Sequence, residues 1–504
     1  MDIQLISNAS FLRGAIDPRL FSSFLEHMGR VVYTGVYEPG HISADKDGFR
    51  NDVLAAVRQM GVTAVRYPGG NFVSNYRWQD GVGPTALRPR KLELAWRSVE
   101  TNAFGLNEFM LWVKKANALA VLTVNLGTQG IDNALSLLEY CNLDQNTQFS
   151  ELRRSHGVTA PYQVKTWCLG NEMDGLWQIG HKTPQEYGRL AAETGRAMKR
   201  MDPSIELIAC GSSKSDMATY PSWDLEVLEH VYGIADYLAL HQYYGGQEMG
   251  TAGFLAQSLD METYIATIRS AIQVIQKKTR SNQPMYLSLD EWGVWAKPEN
   301  AIGRAFERHP WQVAPVIDEQ TYTMEDSLLF ASMMMAILKN ADVVKIACQA
   351  LLTNISACIM TEPGGDIWLQ PIYYVFSLIA QHAKGRVLQT VDMRMPYYAC
   401  DAFAQVPMLD HVETLREDGR EAVCYVVNRS ETETASLSWK LEQLHPQAIE
   451  AFTVLTASDK NMTNHENHQA IVPQDGKGAR LEQDVCKAEI PPLSFAMIRV
   501  ALQP

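Results

Sequence analysis

The sequence lacks the features that mark membrane-spanning, secreted or nucleic-acid-binding chains. It has no uninterrupted apolar run of about 18 residues, so we expect no transmembrane helix and no membrane partner. The opening residues, MDIQLISNASFLRGAID, show no basic start followed by an apolar run, which argues against a secretory signal. The formal net charge is −13, and no Lys/Arg-rich cluster offsets it. Such a chain is poorly suited to holding phosphate backbones, so we expect no nucleic-acid partner.

Motifs for metal binding and for serine hydrolysis are also missing. The chain has no CxxC, HxH or HExxH pattern, so the sequence indicates no metal site. It has no G-x-S-x-G, which a Ser-His-Asp hydrolase would need. The eight cysteines are scattered and lie mostly inside apolar runs. We interpret them as buried thiols of a cytoplasmic protein, with disulfides or a zinc site as the alternatives.

What the chain does contain is a regular alternation of short apolar runs and longer helical patterns. With 504 residues it is long enough for two domains, and 46% hydrophobic residues can fill a large core. Runs that are apolar throughout suit parallel strands that are covered on both faces. Eight β-then-α units predict a closed (β/α)8 barrel over residues 18–384. The eight runs are 21–27, 62–69, 120–127, 164–172, 205–213, 237–244, 285–292 and 343–352.

Two of the helical patterns are especially clear. In residues 183–202, Thr183 and Glu186 form a T-x-x-E capping box, and Pro184 occupies the first helical position. In residues 258–278, apolar side chains recur at helical spacing.

Residues 385–504 have a different texture. Short, partly alternating apolar segments are separated by polar, turn-rich stretches such as NRSETET. This pattern predicts a C-terminal antiparallel β-sandwich, to which residues 1–17 could add a strand.

Polar residues cluster where the predicted barrel strands end. In (β/α)8 enzymes the active site lies at the C-terminal ends of the strands, and buried polar groups there cost free energy unless they serve each other or a ligand. These strand-end residues are Glu26, His27, Arg66, Asn71, Asn125, Asn171, Glu172, His241, Tyr243, Glu291, Trp292 and Gln349.

Glu172 and Glu291 form the most informative pair. They follow the fourth and seventh apolar runs, and strand ends three apart on an eight-stranded ring still face one pocket. Glycoside hydrolysis requires two carboxylates in a shared pocket, one protonated and the other ionised. An ion-paired structural role is the better interpretation for an isolated glutamate, but two in matched positions favour catalysis.

The neighbouring candidates are less specific. His241 and Tyr243 could orient the nucleophile, although a structural histidine is an equal alternative. The Gly-rich RYPGGN stretch suits a tight turn that directs Asn71 into the pocket better than a phosphate loop. Tryptophans are more often core residues than sugar platforms, and those favoured for stacking are Trp96, Trp292 and Trp295.

Several long motifs resemble the α-L-arabinofuranosidases of glycoside hydrolase family 51. They include FLEHMGRVVYTGVYEPGH, VRYPGGNFVSNYRWQDGVGP, TWCLGNEMDGLWQIGHK, LHQYYG, LSLDEWGVW and PPLSFAMIRV, and they run in order through nearly the whole chain. The resemblance implies a barrel with a C-terminal β-sandwich, retention of configuration, no cofactor, an intracellular setting and a homo-oligomer such as a hexamer. By the same motif match, Glu172 is the acid/base and Glu291 the nucleophile. The residues that would contact or border the sugar are Glu26, Asn71, Trp96, Asn171, His241 and Tyr243, together with Trp295 from the residues themselves.

The chain departs from the family pattern at three positions. Leu351 stands where a sugar-binding Gln is usual, and Gln349 lies two residues earlier on the same predicted strand face. Gln349 could therefore reach the pocket in its place; the alternative is that this sugar contact is lost. Gly293 replaces a common Asn, and Leu176 replaces a common Pro.

The sequence thus predicts an enzyme that releases terminal α-L-arabinofuranosyl residues from oligo- or polysaccharides by double displacement. A β-xylosidase or endo-glucanase of similar fold is the nearest alternative. A non-catalytic sugar-binding protein is the alternative from another class.

Overall fold

The computed structural model describes residues 1–296, 308 and 310–503. Its centre is a closed barrel of eight parallel strands, which confirms the predicted fold. Each of the eight apolar runs supplies one strand, and every neighbouring pair is parallel. The barrel strands, first to eighth, are Ser22–Phe24, Ala64–Tyr67, Leu119–Val124, Thr166–Leu169, Glu206–Cys210, Tyr237–Tyr244, Tyr286–Val294 and Val344–Gln349.

Helices follow each barrel strand and cover the outside of the barrel. The helix Pro184–Met201 begins with the predicted capping box, because the Thr183 side chain accepts from the Glu186 amide. The helices are Asn51–Met60, Leu106–Lys115, Ile131–Asn142, Gln148–Ser155, Pro184–Met201, Ser222–Val231, Gly250–Ala256, Ser258–Thr279, Met324–Lys339 and Pro371–His382. Short 3-10 turns span Pro18–Phe21, Asn71–Asn75, Trp78–Gly81, Thr85–Leu87 and Gln247–Met249.

The C-terminal β-sandwich consists of two sheets with their own apolar core. One sheet has the order Val391–Met393, Asp2–Asn8, Ala435–Glu442, Val485–Ile490 and Arg480–Glu482. The other has the order Leu12–Ala15, Arg386–Leu388, Leu409–Leu415, Glu421–Asn428, Ser494–Leu502, Pro446–Leu455 and Gln474–Asp475. Within the described residues, three two-stranded pairs lie outside these sheets: Lys91–Glu93 with Ser98–Glu100, Ile359–Thr361 with Ile367–Leu369, and Tyr397–Tyr398 with Val406–Pro407.

The N-terminal residues contribute one strand to each sheet. Asp2–Asn8 runs parallel to Ala435–Glu442, and the Trp439 indole donates to Ser7 Oγ at 2.9 Å. Leu12–Ala15 pairs with Arg386–Leu388 in the second sheet. The two ends of the chain therefore fold together beside the barrel.

The helix Met324–Lys339 joins the two parts of the structure. Its residues Met324 to Leu338 are all buried, because one face packs on the barrel and another packs on sandwich strands Leu409–Leu415 and Glu421–Asn428. No helix among the described residues combines the length and the apolar character needed to cross a lipid bilayer.

Candidate active site

Glu172 lies on a sharp turn just beyond the fourth barrel strand. The strand ends at Leu169, and both Gly170 (φ 87°) and Glu172 (φ 44°) adopt left-handed backbone conformations. Such a conformation is strained for a non-glycine residue, at a cost on the order of 1 kcal/mol. Asp174 stabilises the turn by accepting the Ser213 amide at 3.0 Å and the Ser213 hydroxyl. The turn is thereby fixed to the end of the neighbouring fifth strand.

Both carboxylate oxygens of Glu172 have partners. His241 Nδ1 lies 3.0 Å from Oε1, and the Trp177 indole nitrogen donates to Oε2 at 2.6 Å. Burial works to raise the pKa of Glu172, but the hydrogen bond and charge of His241 outweigh it, and on balance the pKa is lowered. These contacts thus favour the ionised form of this carboxyl group.

Glu291 lies within the seventh strand and is held by a cation and a phenol. Arg66 Nη1 donates to Oε1 at 2.8 Å, and the Tyr243 hydroxyl donates to Oε2 at 2.9 Å. Burial raises the pKa of Glu291, and the negative charge of Glu172 adds to that effect, against the charges of His241 and Arg66. His241 Nδ1 is 3.6 Å from Glu291 Oε2, farther than from Glu172, so the imidazole favours the anion of Glu172 more strongly.

Asp290 supports the site from behind and was not identified from the sequence. Its carboxylate lies 3.2 Å from His241 Nε2 and 3.3 Å from Arg66 Nε. Adjacent residues on a regular strand face opposite sides, yet Asp290 and Glu291 both face the barrel interior. Register irregularities on both sides of the seventh strand explain this, since a bulge redirects side chains locally. The DEW motif contains Asp290, but regular strand alternation does not predict that it faces the pocket beside Glu291.

Arg66 and His241 supply the positive charge that these buried carboxylates need. Arg66 Nη2 also donates to the Asn171 side chain at 2.7 Å. Burial tends to lower the pKa of His241, but the charge of Glu291 and the contacts with Asp290 and Glu172 raise it well above its usual value. The imidazole, which lies between two glutamates and one aspartate, therefore favours its protonated form.

Glu26 forms a second acidic wall of the same pocket. Its Oε1 accepts from the Phe72 amide and from the Trp96 indole, each at 2.9 Å. Burial, with the charge of Glu291, raises the pKa of Glu26 to about 8. Gly70 separates the two acids, and a Cβ atom there would lie 2.7 Å from Glu291 Oε1. Only glycine lets the chain pass this close to the carboxylate.

The remaining predicted residues divide into two groups. Asn171 is buried, and its Nδ2 lies 3.4 Å from Asn71 Oδ1, so both amides border the pocket. Trp295 packs edge-on against Tyr243 with ring centroids 5.5 Å apart. Gln349, in contrast, donates to the Ser356 carbonyl at 2.8 Å, so its amide holds the loop that follows the eighth strand.

Two tryptophans lie in places that the sequence did not indicate. Trp292, favoured from the sequence as a stacking platform, is fully buried and packs on Phe330 of the helix Met324–Lys339. Trp177, which was not favoured from the sequence, makes a hydrogen bond to Glu172. The sequence places Trp177 five residues after Glu172, which indicates that the two are close. This spacing alone does not predict that the indole nitrogen points at the carboxylate.

Among the described residues, Glu172, His241 and Glu291 also form the group that could hold a cation. One ligand atom from each lies within 4.8 Å of the other two. The same proximity means that a sugar ring bound here would lie between two carboxylates and one imidazole.

Comparisons with known proteins agree with one another along the chain. The family model for the α-L-arabinofuranosidase 1 domain matches residues 56–257, and that for the α-L-arabinofuranosidase C-terminal domain matches residues 290–494. The chain is 44% identical to intracellular exo-α-(1→5)-L-arabinofuranosidase 1 of Bacillus subtilis, over 99% of both chains. It is 45% identical to the intracellular exo-α-(1→5)-L-arabinofuranosidase of Halalkalibacterium halodurans, over 98% of both. The solved structure of AbfB, a family 51 α-L-arabinofuranosidase from Bifidobacterium longum, matches with a TM-score of 0.93, 37% identity and 99% coverage of both chains.

Proposed function

We propose a specific reaction for this chain, which belongs to the α-L-arabinofuranosidases of glycoside hydrolase family 51 and is a glycosidase of that activity. It releases terminal arabinofuranosyl residues with retention of configuration. Glu291 is the nucleophile and Glu172 is the general acid and base.

The observation that carries the proposal is the short distance between the two carboxylates. One carboxylate oxygen of Glu172 and one of Glu291 lie within 4.8 Å of each other. Retaining glycosidases place their carboxyl groups about 5–5.5 Å apart, whereas inverting ones leave roughly 6.5–9.5 Å for a water molecule. The pocket therefore suits direct attack by a carboxylate better than attack by an intervening water.

The assignment of the two roles follows from how each carboxylate is held. Glu291 is fixed by Arg66 and Tyr243, which suits a nucleophile that must stay ionised and in place. Glu172 lies on the turn next to the half-exposed Trp177, on the side where a leaving group departs. In the first step Glu291 attacks the anomeric carbon while Glu172 passes its proton to the glycosidic oxygen. In the second step Glu172 takes a proton from water, and that water displaces Glu291.

His241 influences the protonation of Glu172 and responds to the charge of Glu291 in the two steps. It favours its protonated form and lies 3.0 Å from the ionised Glu172, so His241 can pass to Glu172 the proton that the first step needs. Neutralising Glu291 by forming the glycosyl ester removes one of the negative charges that His241 faces. Asp290 keeps the ring in place throughout, because its carboxylate faces Nε2.

We assign the sugar contacts to the residues that border the same pocket. Glu26 is largely protonated at neutral pH, so Oε2 can donate to a sugar oxygen while Oε1 accepts its two N–H groups. Asn171, next to Glu172, is placed to bond the 2-hydroxyl, a contact that strengthens in the transition state. The other proposed contacts are Asn71, Trp96, His241, Tyr243 and Trp295, and Gln349 acts by supporting the loop after the eighth strand.

The finer substrate and setting are also proposals. The relatives from B. subtilis and H. halodurans are named as intracellular exo-α-(1→5)-L-arabinofuranosidases. We infer that this chain cleaves α-(1→5)-linked arabino-oligosaccharides from the non-reducing end, inside the cell, as a homo-oligomer. Hydrolysis of α-(1→5)-, α-(1→3)- and α-(1→2)-linked substrates tests the linkage. Light scattering coupled to size-exclusion chromatography tests the oligomer.

Azide rescue of two variants tests the roles. With an aryl α-L-arabinofuranoside, Glu291→Ala plus azide should give the β-glycosyl azide, because azide replaces the nucleophile and attacks once. Glu172→Ala plus azide should give the α-glycosyl azide, because azide attacks the glycosyl-enzyme after Glu291 has already inverted the centre. Rescue of the two variants with the anomers exchanged would refute the assignment.

A further inference from the structure

The indole of Trp177 interacts with Glu172 in a way that the two-step reaction does not explain. Its N–H donates to Glu172 Oε2 at 2.6 Å, while Oε1 faces His241 at 3.0 Å. A donor at Oε2 stabilises the anion and opposes protonation at that oxygen. Yet the first step needs Glu172 to carry a proton that it can pass to the leaving group.

The indole is also held weakly enough to move. Trp177 is 46% exposed and its neighbour Leu176 is 81% exposed, so this segment lies at the entrance of the pocket. Apart from the hydrogen bond, Trp177 rests over the backbone of Gly175 and lies 5.8 Å from the Lys214 ammonium. A Cβ atom at Gly175 would overlap the indole Cε2 atom, so the glycine makes room for this orientation.

Five other charged or titratable groups among the described residues face Glu172. These are His241 and Tyr243 on the sixth strand, Glu291 on the seventh, Lys214 after the fifth, and Asp174 on its own turn. His241, Trp177 and Lys214 lower the pKa of Glu172 in that order, against the effect of burial. Of these three contributors, Trp177 is the one whose side chain is uncharged, and it is about half-exposed. It can therefore be displaced without breaking an ion pair.

We propose that Trp177 is a positioning residue whose indole N–H is displaced from Glu172 Oε2 by the leaving group, and that this displacement prepares Glu172 to act as the acid. When the leaving sugar enters, it takes the place of the N–H at Oε2 and lies against the indole face. When that sugar departs, the N–H returns and stabilises the anion that must next accept a proton from water. No bond is made or broken by Trp177. The proposal rests on the assignment of Glu172 as acid and base.

Three variants test the proposal through the pH dependence of kcat/KM. Trp177→Phe keeps the aromatic ring and removes the donor, and Gly175→Ala keeps the indole and forces it away from Glu172. Both should move the alkaline limb of kcat/KM on an arabinobiose substrate to higher pH, by about half a unit or more, because an anion-stabilising donor is lost. Leu176→Ala, which changes the exposed neighbour alone, should leave the limb where it is in the wild type.

The outcomes separate this proposal from the function on which it rests. If both variants keep the wild-type limb, Trp177 does not act through Glu172 and the proposal is wrong, whatever happens to the overall rate. If Glu172→Ala retains the alkaline limb on an activated aryl substrate, the acid assignment itself fails. Melting curves of all variants identify a fold defect. Should Trp177→Phe be unstable, Gly175→Ala alone decides the question.

Discussion

At the scale of single residues, the site is defined by the short distances between its charged and polar groups. Arg66, His241 and Tyr243 each form a contact of 2.8–3.0 Å with one of the two glutamates that we propose as catalytic. Such contacts replace the water that these carboxylates lose on burial, and they hold the pair in a fixed geometry. The pair itself could be predicted because each glutamate follows an apolar run. Asp290 could not, because a strand irregularity decides which way it points.

Gly70 offers a direct test of that geometry. Gly70→Ala should lower kcat/KM by roughly 10²-fold, because its Cβ would lie 2.7 Å from Glu291 Oε1 and a displacement of the carboxylate by about 1 Å can have that effect. The measurement is steady-state kinetics on an aryl α-L-arabinofuranoside, with circular dichroism to verify the fold. Gly130→Ala is the matched control, since a Cβ at Gly130 meets nothing within 4 Å. Equal activity of the two variants would contradict the geometry.

At the scale of elements, the sequence patterns predicted where the strands and helices lie better than they predicted the residues at which these elements end. The eight strands and the helix Pro184–Met201 lie where the apolar runs and the capping box placed them. The fourth strand, however, ends at Leu169, three residues before Glu172. Beyond it, left-handed backbone conformations at Gly170 and Glu172 take the chain out of the strand ladder, although Gly170 and Asn171 stay buried. A pattern of hydrophobicity reports burial, not backbone hydrogen bonding.

The capping box provides a stability prediction. Thr183→Ala should destabilise the protein by about 0.5–2 kcal/mol, because the Glu186 amide loses its acceptor at the helix start. The shift in the midpoint of urea denaturation measures it. Thr183→Ser should retain most of the stability, since it keeps the hydroxyl. A loss for serine as large as for alanine would argue against the cap.

At the scale of the whole molecule, we propose residues 18–384 and 385–504 as the two units, with strands from residues 1–17 joining the second. Their contact is partly ionic. Lys339 on the shared helix contacts Asp410 at 2.7 Å, and Arg429 contacts the other oxygen of Asp410 at 2.7 Å. The parallel pairing of Asp2–Asn8 with Ala435–Glu442 could not be predicted, because strand patterning does not specify a partner more than 400 residues away.

A buried histidine on this side of the molecule links stability to pH. Burial tends to lower the pKa of His411, but the charge of Glu413 and the hydrogen bond with Asp392 raise it to about 10. A raised pKa in the folded state stabilises the protein below the ordinary pKa of histidine, near 6.5. That contribution is lost as pH rises from there through about 10.

The prediction is a comparison of His411→Gln with the wild type across that range. At pH 6 the variant should melt at a temperature lower by roughly 2 °C or more, because the buried carboxylate of Glu413 and the more exposed carboxylate of Asp392 lose their cation. The gap in Tm should narrow steadily between pH 7 and pH 10. A gap that stays constant over this range would show that His411 carries no proton in the folded protein.

The proposed function depends most on attack by Glu291 at the anomeric carbon, followed by attack of water on the same carbon. Proton NMR during hydrolysis of an aryl α-L-arabinofuranoside measures this directly, since it detects the first anomer of free arabinofuranose before mutarotation. Two successive inversions predict that the α anomer appears first and that the β anomer grows later. If the β anomer appears first, water attacks directly, Glu291 is a base rather than a nucleophile, and the double-displacement mechanism is wrong.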